Sequence, residues 1–293
     1  MTTIAFVGLG NMGGPMAANL VKAGHEVKGF DLGEAALAAA RTAGVTVAAA
    51  VGEACAGAEV VVTMLPAGKH VLQVWSEILG ALPAGTLVID SSTIDVESAR
   101  KTHAMAAERG CLSLDAPVSG GVGGATAGTL TFMCGGSTEA FAKAEPILSQ
   151  MGRKVVHCGE AGAGQAAKIC NNMILGISMI GVAEAFVLAE KLGLSHQALF
   201  DVASTSSGQC WSLTTYCPVP GPVPTSPANN GYKPGFASAL MLKDLKLAQE
   251  AAAAAGAVTP LGAQAAQLYA LHNGQGEGGT DFSGIIEMIR GEG

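Results

Sequence analysis

The chain has 293 residues, 49% of them hydrophobic and 13% charged, with a formal net charge of −7 at pH 7. This composition describes a compact globular protein of one large domain or two smaller ones, the reverse of a disordered chain. The acidic balance argues against nucleic acid or an anionic membrane as a partner, so an anionic ligand has to be held by a few well-placed local groups.

The seven cysteines (Cys55, Cys111, Cys134, Cys158, Cys170, Cys210 and Cys217) form no CxxC pair and no metal-ligand spacing. They read as reduced, mostly buried small hydrophobes of a cytoplasmic protein. The six histidines form no HxH, HExxH or HxxxH pattern, so no metal is expected. "MTTIAFVGLG" lacks a basic leader and a cleavage site, and its apolar letters belong to a strand. The longest uncharged apolar run, around Ile174, stops before Glu184. That is shorter than the roughly 20 residues a membrane span needs, so no membrane segment is expected.

In chain order, short β-branched runs alternate with alanine-rich stretches. "IAFVG", "EVKGFD", "EVVVTML" and "TLVIDSS" predict buried parallel strands, while "PMAANLVKAG", "EAALAAARTAG" and "DVESARKTHAMAAERG" predict helices ending on glycine. The alternation predicts an α/β fold, a Rossmann-type doubly wound sheet. "CLSLDAPVSG", "GTLTFMCGG" and "KVVHCG" extend the sheet to about residue 160. Beyond it the pattern becomes helical: a long apolar segment from Gln165, then stretches near 195–206, 238–256, 259–272 and 282–290. The expected organisation is therefore a dinucleotide-binding domain over 1–162 and an all-helical domain over 163–293 that begins with a long interdomain helix. Residues 211–235, with six of the twelve prolines, form a long loop whose Trp211, Tyr216 and Tyr232 favour a packed, functional role.

Within "VGLGNMG", Gly8, Gly10 and Gly13 take GxGxxG spacing between the first strand and the first helix, spanning Leu9, Asn11 and Met12. Gly8 permits the tight turn, Gly10 admits a pyrophosphate, and Gly13 lets helix and strand pack closely. The helix N-terminus offers free N–H groups to the phosphates. Asp31 ends the second strand 18 residues after Gly13, where a carboxylate can accept from both ribose hydroxyls. It would repel a 2′-phosphate by about 4 kcal/mol at contact for an effective dielectric near 20. NAD is the expected cofactor. "MLP", with Leu65 and Pro66, and "SST", ending at Thr93, follow the ends of later strands, where ligands of open α/β sheets bind. In "DAPVSGGVGGATAG", Ser119, Gly120 and Gly121 either present successive N–H groups to a carboxylate or form a flexible connector.

"GLGNMGGPMAANLVKAGH", "DAPVSGG", "GAGQAAKICNNM" and "KDLKLA" occur in an order and spacing that resembles the β-hydroxyacid dehydrogenase family over essentially the whole chain. "CWSLTTYCPVPGPVP", "SPANNGY" and "DFSGIIEMI" look most like the branch that acts on 3-hydroxyisobutyrate in valine degradation. The resemblance implies NAD-dependent oxidation of 3-hydroxyisobutyrate to methylmalonate semialdehyde. The alternative within the family is tartronate semialdehyde or glyoxylate reduction. By the same resemblance Lys168 is the catalytic acid/base and Asn172 its partner, and spacing i, i+4 puts both on one helix face. They are expected to point into one cleft between the domains. Ser119, Gly120 and Gly121 match the cradle for the substrate carboxylate. Lys243 matches a second lysine near cofactor and substrate, with Asp244 beside it, Thr93 a nicotinamide-side contact and Phe236 a cofactor or substrate wall. A homodimer or homotetramer is expected.

Overall fold

A computed structural model describes residues 1–291. The chain divides into two compact units, Met1–Lys168 and Ile169–Gly293, with the division falling inside one helix.

The first unit carries a nine-stranded sheet. Its strands are β1 (Thr3–Val7), β2 (Glu26–Phe30), β3 (Thr46–Val47), β4 (Val60–Thr63), β5 (Leu87–Asp90), β6 (Leu112–Asp115), β7 (Val118–Ser119), β8 (Leu130–Gly135) and β9 (Gly152–Gly159). They lie in the order β3-β2-β1-β4-β5-β6-β8-β7, with β9 paired to β8. β1 to β6 pair in parallel, whereas β8 runs antiparallel to β6 and β7. The helices are α1 (Gly13–Lys22), α2 (Glu34–Thr42), α3 (Val51–Cys55), α4 (Gly68–Ile78), α5 (Val96–Glu108), α6 (Gly121–Ala127) and α7 (Thr138–Leu148). Of these, α3, α4, α6 and α7 fall in segments for which the pattern predicts no element.

The β-branched runs fill both faces of the sheet, as a parallel sheet covered by helices requires. Ile4, Phe6, Val62 and Ile89 enter one core with Met16 and Leu20 of α1. The alternating residues Ala5, Val7, Val61 and Val88 enter the other, with Trp75 of α4 and Ala99 of α5. The strand order reverses at β1, which pairs with β2 on one side and β4 on the other. A crevice for a ligand opens at such a switch point, outside the C-terminal strand ends.

α8 (Ala163–Lys191) has 29 residues and is long and apolar enough, by length and composition, to cross a membrane. The exclusion drawn from the run ending at Glu184 therefore does not stand on length. A core helix passes the same test, and α8 places Met179, Ile180, Ala183 and Phe186 in the cores of the second unit. That unit continues with α9 (His196–Ala203), α10 (Trp211–Thr214), α11 (Ser238–Ala255), α12 (Pro260–Gly274) and α13 (Ile285–Arg290). Its only β pairing among the described residues is an isolated bridge from Ala237 to Asp281.

The proline-rich segment 211–235 is packed. Cys217, Val219 and Val223 are buried beside Phe186 and Ile286. Trp211 stacks on Tyr216, which stacks on Phe282. The fully buried Asp281 fixes the end of the loop, accepting from the Tyr216 hydroxyl at 2.8 Å and from the N–H groups of Gly235 and Phe236 at 2.9 and 3.1 Å. Ser283 donates to its other oxygen through both N–H and hydroxyl. Removing this acceptor strands the two buried Ser283 donors and three part-buried ones at once. Asp281→Ala is expected to destabilise the second unit by about 3 kcal/mol and to open 211–235 to proteolysis. Urea melts followed by Trp211 fluorescence, with limited digestion, check this; a change within 0.5 kcal/mol, the level of an ordinary surface substitution, would contradict it.

Candidate active site

The glycine turn has the geometry its spacing predicts. Gly8 has φ +94°, and a Cβ there would lie 2.2 Å from the carbonyl oxygen of Met64 at the end of β4. A Cβ on Gly13 would lie 1.9 Å from the Gly8 carbonyl oxygen, so only glycine lets α1 start against the turn. At Gly10 a Cβ would meet nothing within 4 Å, leaving room for a ligand to approach the backbone. α1 has Met12 at its N-cap and no side-chain cap. In its first turn the Gly14 N–H bonds the Gly10 carbonyl at 2.9 Å and Pro15 has no N–H, so an anion at this helix start would meet the backbone ahead of them, around Gly10 to Gly13. Asp31 accepts the Leu9 N–H at 2.6 Å and the Gly33 N–H at 2.7 Å. Each carboxylate oxygen keeps a further lone pair for a ribose hydroxyl. These residues fit a dinucleotide.

The later strand ends are tied together from below. Leu65 N–H donates to the Ser92 hydroxyl at 2.7 Å, and that hydroxyl donates to Asp90 at 2.6 Å. Thr63 donates to the same Asp90 oxygen at 2.7 Å and accepts from the Trp75 indole at 3.3 Å. Asp90 thus joins the loop of Leu65 and Pro66 to the loop of Thr93. Its second oxygen, Oδ2, is buried with no hydrogen-bond partner. Burial pushes the carboxyl up to about 6 from its ordinary 3.8, against the opposing hydrogen bonds of Ser92 and Thr63.

The glycine-rich run after Asp115 is ordered. Val118–Ser119 is β7, Gly120 has φ +133°, and Gly121 opens α6, so the run is ordered and not a loose connector. The start of α8 is fixed to neighbouring strand ends. Asp115, 1% exposed, accepts the N–H of Gly162 at 2.8 Å and of Gln165 at 2.9 Å, capping the helix with a negative charge. His103 bonds the same carboxylate at 2.8 Å and Ser113 at 2.7 Å. A Cβ on Gly164 would lie 2.3 Å from the Met133 carbonyl oxygen, so this glycine lets the helix sit on the sheet. Lys168, one turn beyond Gln165, is 6% exposed.

In the second unit, Asn172 is 2% exposed, donates to Asp244 at 2.5 Å and accepts from Asn171 at 2.9 Å. Lys243 and Asp244 stand on α11, and Phe236 precedes it, edge-on to Phe282. Gly8 to Gly13, Asp31, Leu65, Pro66, Thr93, Ser119 to Gly121 and Lys168 belong to the first unit, and the remaining predicted residues to the second. A groove of about 520 Å³ between α11 and α12, lined by Lys246, Gln249 and Glu250, includes none of them. Asp90, Asp115, His103, Gln165 and Asp281 escape the sequence reading. The available signal was an acid at the end of an otherwise apolar strand in "LVIDSS" and "LSLDAP".

Residues 3–159 match the family model described as the NAD binding domain of 6-phosphogluconate dehydrogenase. Residues 162–289 match the model described as NAD-binding of NADP-dependent 3-hydroxyisobutyrate dehydrogenase. The chain is 52% identical over 298 residues to the 3-hydroxyisobutyrate dehydrogenase of Pseudomonas aeruginosa, covering 100% of both chains. It belongs to the 3-hydroxyisobutyrate dehydrogenase family. It is an NAD-binding dehydrogenase. Another family relative, 49% identical over 292 residues and covering 99% of this chain and 98% of its own, is the NAD-dependent L-serine dehydrogenase of P. aeruginosa. A solved structure of Mycobacterium tuberculosis 3-hydroxyisobutyrate dehydrogenase with L-serine is 57% identical, with a TM-score of 0.97 and 99% of each chain covered. The Rossmann-type sheet followed by helices is thus the family fold.

The raised Asp90 carboxyl gives a pH prediction. Its folded-state value lies above its unfolded one, so its contribution to stability is fully present below about 4 and is lost as pH rises through about 6. The stability of Asp90→Asn relative to the native chain is expected to improve from pH 4 to pH 7 by on the order of 1–3 kcal/mol. Urea titrations at the two pH values check this, and an unchanged difference would contradict it.

Proposed function

We propose that the protein oxidises 3-hydroxyisobutyrate to methylmalonate semialdehyde in valine degradation, with Lys168 as acid/base. The observation that carries this reading is a buried lysine on the first turns of a helix whose N-terminus is capped on the sheet by Asp115. A lysine is seldom buried unless it is paired or functional. The 3-hydroxyisobutyrate dehydrogenase relatives, similar over the whole chain, support the substrate class.

Bound NAD supplies the hydride acceptor. The backbone of Leu9, Gly10, Asn11, Met12 and Gly13 holds the pyrophosphate, and Asp31 takes the ribose hydroxyls, its charge disfavouring NADP. Leu65, Pro66 and Thr93 border the cofactor, with Thr93 on the nicotinamide side. N–H groups of Ser119, Gly120 and Gly121 hold the substrate carboxylate. Neutral Lys168 takes the hydroxyl proton as the alcohol carbon gives up its hydride, leaving the aldehyde. Asn172 orients this chemistry and is itself held by Asp244. Lys243 adds a cation for cofactor and substrate, and Phe236 an apolar wall. We place the enzyme in the cytoplasm as an assembly of two or four copies.

L-serine is the second reading, favoured by the L-serine dehydrogenase relative and by the L-serine named with the M. tuberculosis structure. It is also a β-hydroxyacid, with an amino group where 3-hydroxyisobutyrate carries a methyl.

Initial rates of NADH formation with 3-hydroxyisobutyrate, L-serine, glycerate and 3-hydroxypropionate test the assignment. 3-Hydroxyisobutyrate is expected to give the highest kcat/KM, and a higher value for L-serine or glycerate would replace it. The rate of oxidation is expected to rise toward alkaline pH as neutral lysine becomes available. Lys168→Ala should lose about 10²–10⁴-fold in kcat while still binding NADH. Lys168→Arg should not recover it, because guanidinium keeps its proton. A folded Lys168→Ala enzyme within threefold of native turnover would remove the lysine from the mechanism.

A further inference from the structure

Gln165 is fully buried, although a primary amide is costly to bury unless its donors and acceptor are satisfied. Its Oε1 accepts the N–H of Ile94 at 3.1 Å, and its Nε2 donates to the carbonyl of Ser92 at 2.7 Å. The two contacts grip the backbone on either side of Thr93. This requires an acceptor and a donor at one reach, which a carboxylate, an ammonium or an apolar side chain of that length does not offer. The Ser92 so gripped is the residue whose hydroxyl receives Leu65 N–H and donates to Asp90. One side chain of α8 is therefore joined to the strand-end network that carries Leu65 and Thr93.

On α8, Lys168 follows Gln165 at i+3, so the two lie on neighbouring turns of the same side. The Gln165 N–H is also one of the two that Asp115 caps. Beside it, Gly164 lies against the Met133 and Asp115 carbonyls too closely to admit a side chain. The cap and the close approach of Gly164 hold the first turn against the sheet, and the Gln165 amide adds a direct tie from that turn to the backbone on either side of Thr93.

We propose that Gln165 is a positioning residue that clamps the helix turn preceding Lys168 to the backbone flanking Thr93, so that the acid/base group and the nicotinamide-side loop hold a fixed separation. The inference rests on the proposed role of Lys168 and extends it. Displacement of a reacting group by about 1 Å costs on the order of 10²-fold in rate, so loosening the clamp should act on kcat and leave binding intact.

The test uses the full-length enzyme with Gln165→Met, which keeps volume and loses both hydrogen bonds, and Gln165→Glu, which regains the donor only when protonated. Expected for Gln165→Met is a kcat about 10–100-fold lower, with KM for 3-hydroxyisobutyrate and NADH affinity within threefold of native. The primary deuterium isotope effect from substrate labelled at the alcohol carbon should rise. For Gln165→Glu, kcat relative to native should climb as pH falls, because a protonated carboxyl can again donate to Ser92. Combining Gln165→Met with Lys168→Ala should cost no more than Lys168→Ala alone, since positioning matters only while the lysine is there. A Gln165→Met kcat within threefold of native, alongside an inactive Lys168→Ala, overturns the clamp. So does a lowered Tm with unchanged kcat per folded enzyme, or additive losses in the double variant. Should Gln165→Met fail to fold, a Gln165→Glu kcat ratio that stays flat with pH overturns it equally. An active Lys168→Ala instead brings down the reading beneath it.

Discussion

The Asp115 carboxylate at the N-terminus of α8 is the interaction on which the proposed chemistry depends. A helix start exposes N–H groups with a partial positive charge, and here two of them meet one buried anion at 2.8 and 2.9 Å. Both partners are desolvated, so the contact is strong only while both remain in place. The anion stands at the end of β6 beside β5, whose terminal residue Asp90 is its register partner. A buried ionic cap of this kind makes the end of β6 a fixed origin for the helix. Lys168 inherits its position from that origin.

Acids recur as organisers. The half-buried Asp31 holds the glycine turn against the end of β2, the buried Asp90 joins the loops of Leu65 and Thr93, and the buried Asp281 gathers the end of the proline-rich segment. Each accepts from backbone N–H groups or hydroxyls, with no lysine or arginine among the partners described. This matches a chain with 23 acidic and only 16 basic residues. The negative overall field does not attract anionic ligands, so in the proposed reading attraction falls to local features: the open face of Gly10 and the uncapped start of α1 for the cofactor, and the N–H groups after Ser119 for the substrate carboxylate. Asp90 shows the cost of the arrangement, since burial raises its carboxyl above the ordinary value while one of its oxygens stays without a partner.

All strands of the sheet but the two-residue β3, Thr46–Val47, were legible as short apolar runs, most of them β-branched and bounded by glycine or by an acid. The helices α1, α2 and α5 were legible because each ends in glycine. The turn at Gly8 to Gly13 was legible because its constraints are local: a positive φ and two close backbone approaches. By contrast α6 comes from "GGVGGATA", a sequence with poor intrinsic helix propensity. It is helical because its glycines let the backbone pack against Leu130, where Cβ atoms on Gly120 and Gly124 would lie 3.1 and 3.2 Å away. The roles of Asp115 and Gln165 were hidden for a related reason. Their partners lie 47 to 73 positions away in sequence, and no local pattern marks them. The Lys168 assignment came from resemblance, and the structure adds the burial and the capped helix start that make it physically reasonable.

Amide hydrogen exchange over residues 160–170, compared between the native enzyme and Asp115→Asn, tests the central dependence most directly. The substitution keeps the shape of the side chain and removes its charge and one acceptor. If the cap anchors the helix, the amides of Gly162 to Lys168 exchange faster by about 10-fold or more, as expected for loss of roughly 1.4 kcal/mol or more of local stability. Peptides from β1 and α1 should keep their protection, and kcat should fall together with the lost protection. Unchanged protection across 160–170 in a folded Asp115→Asn enzyme would show that the helix start is held by something other than this carboxylate.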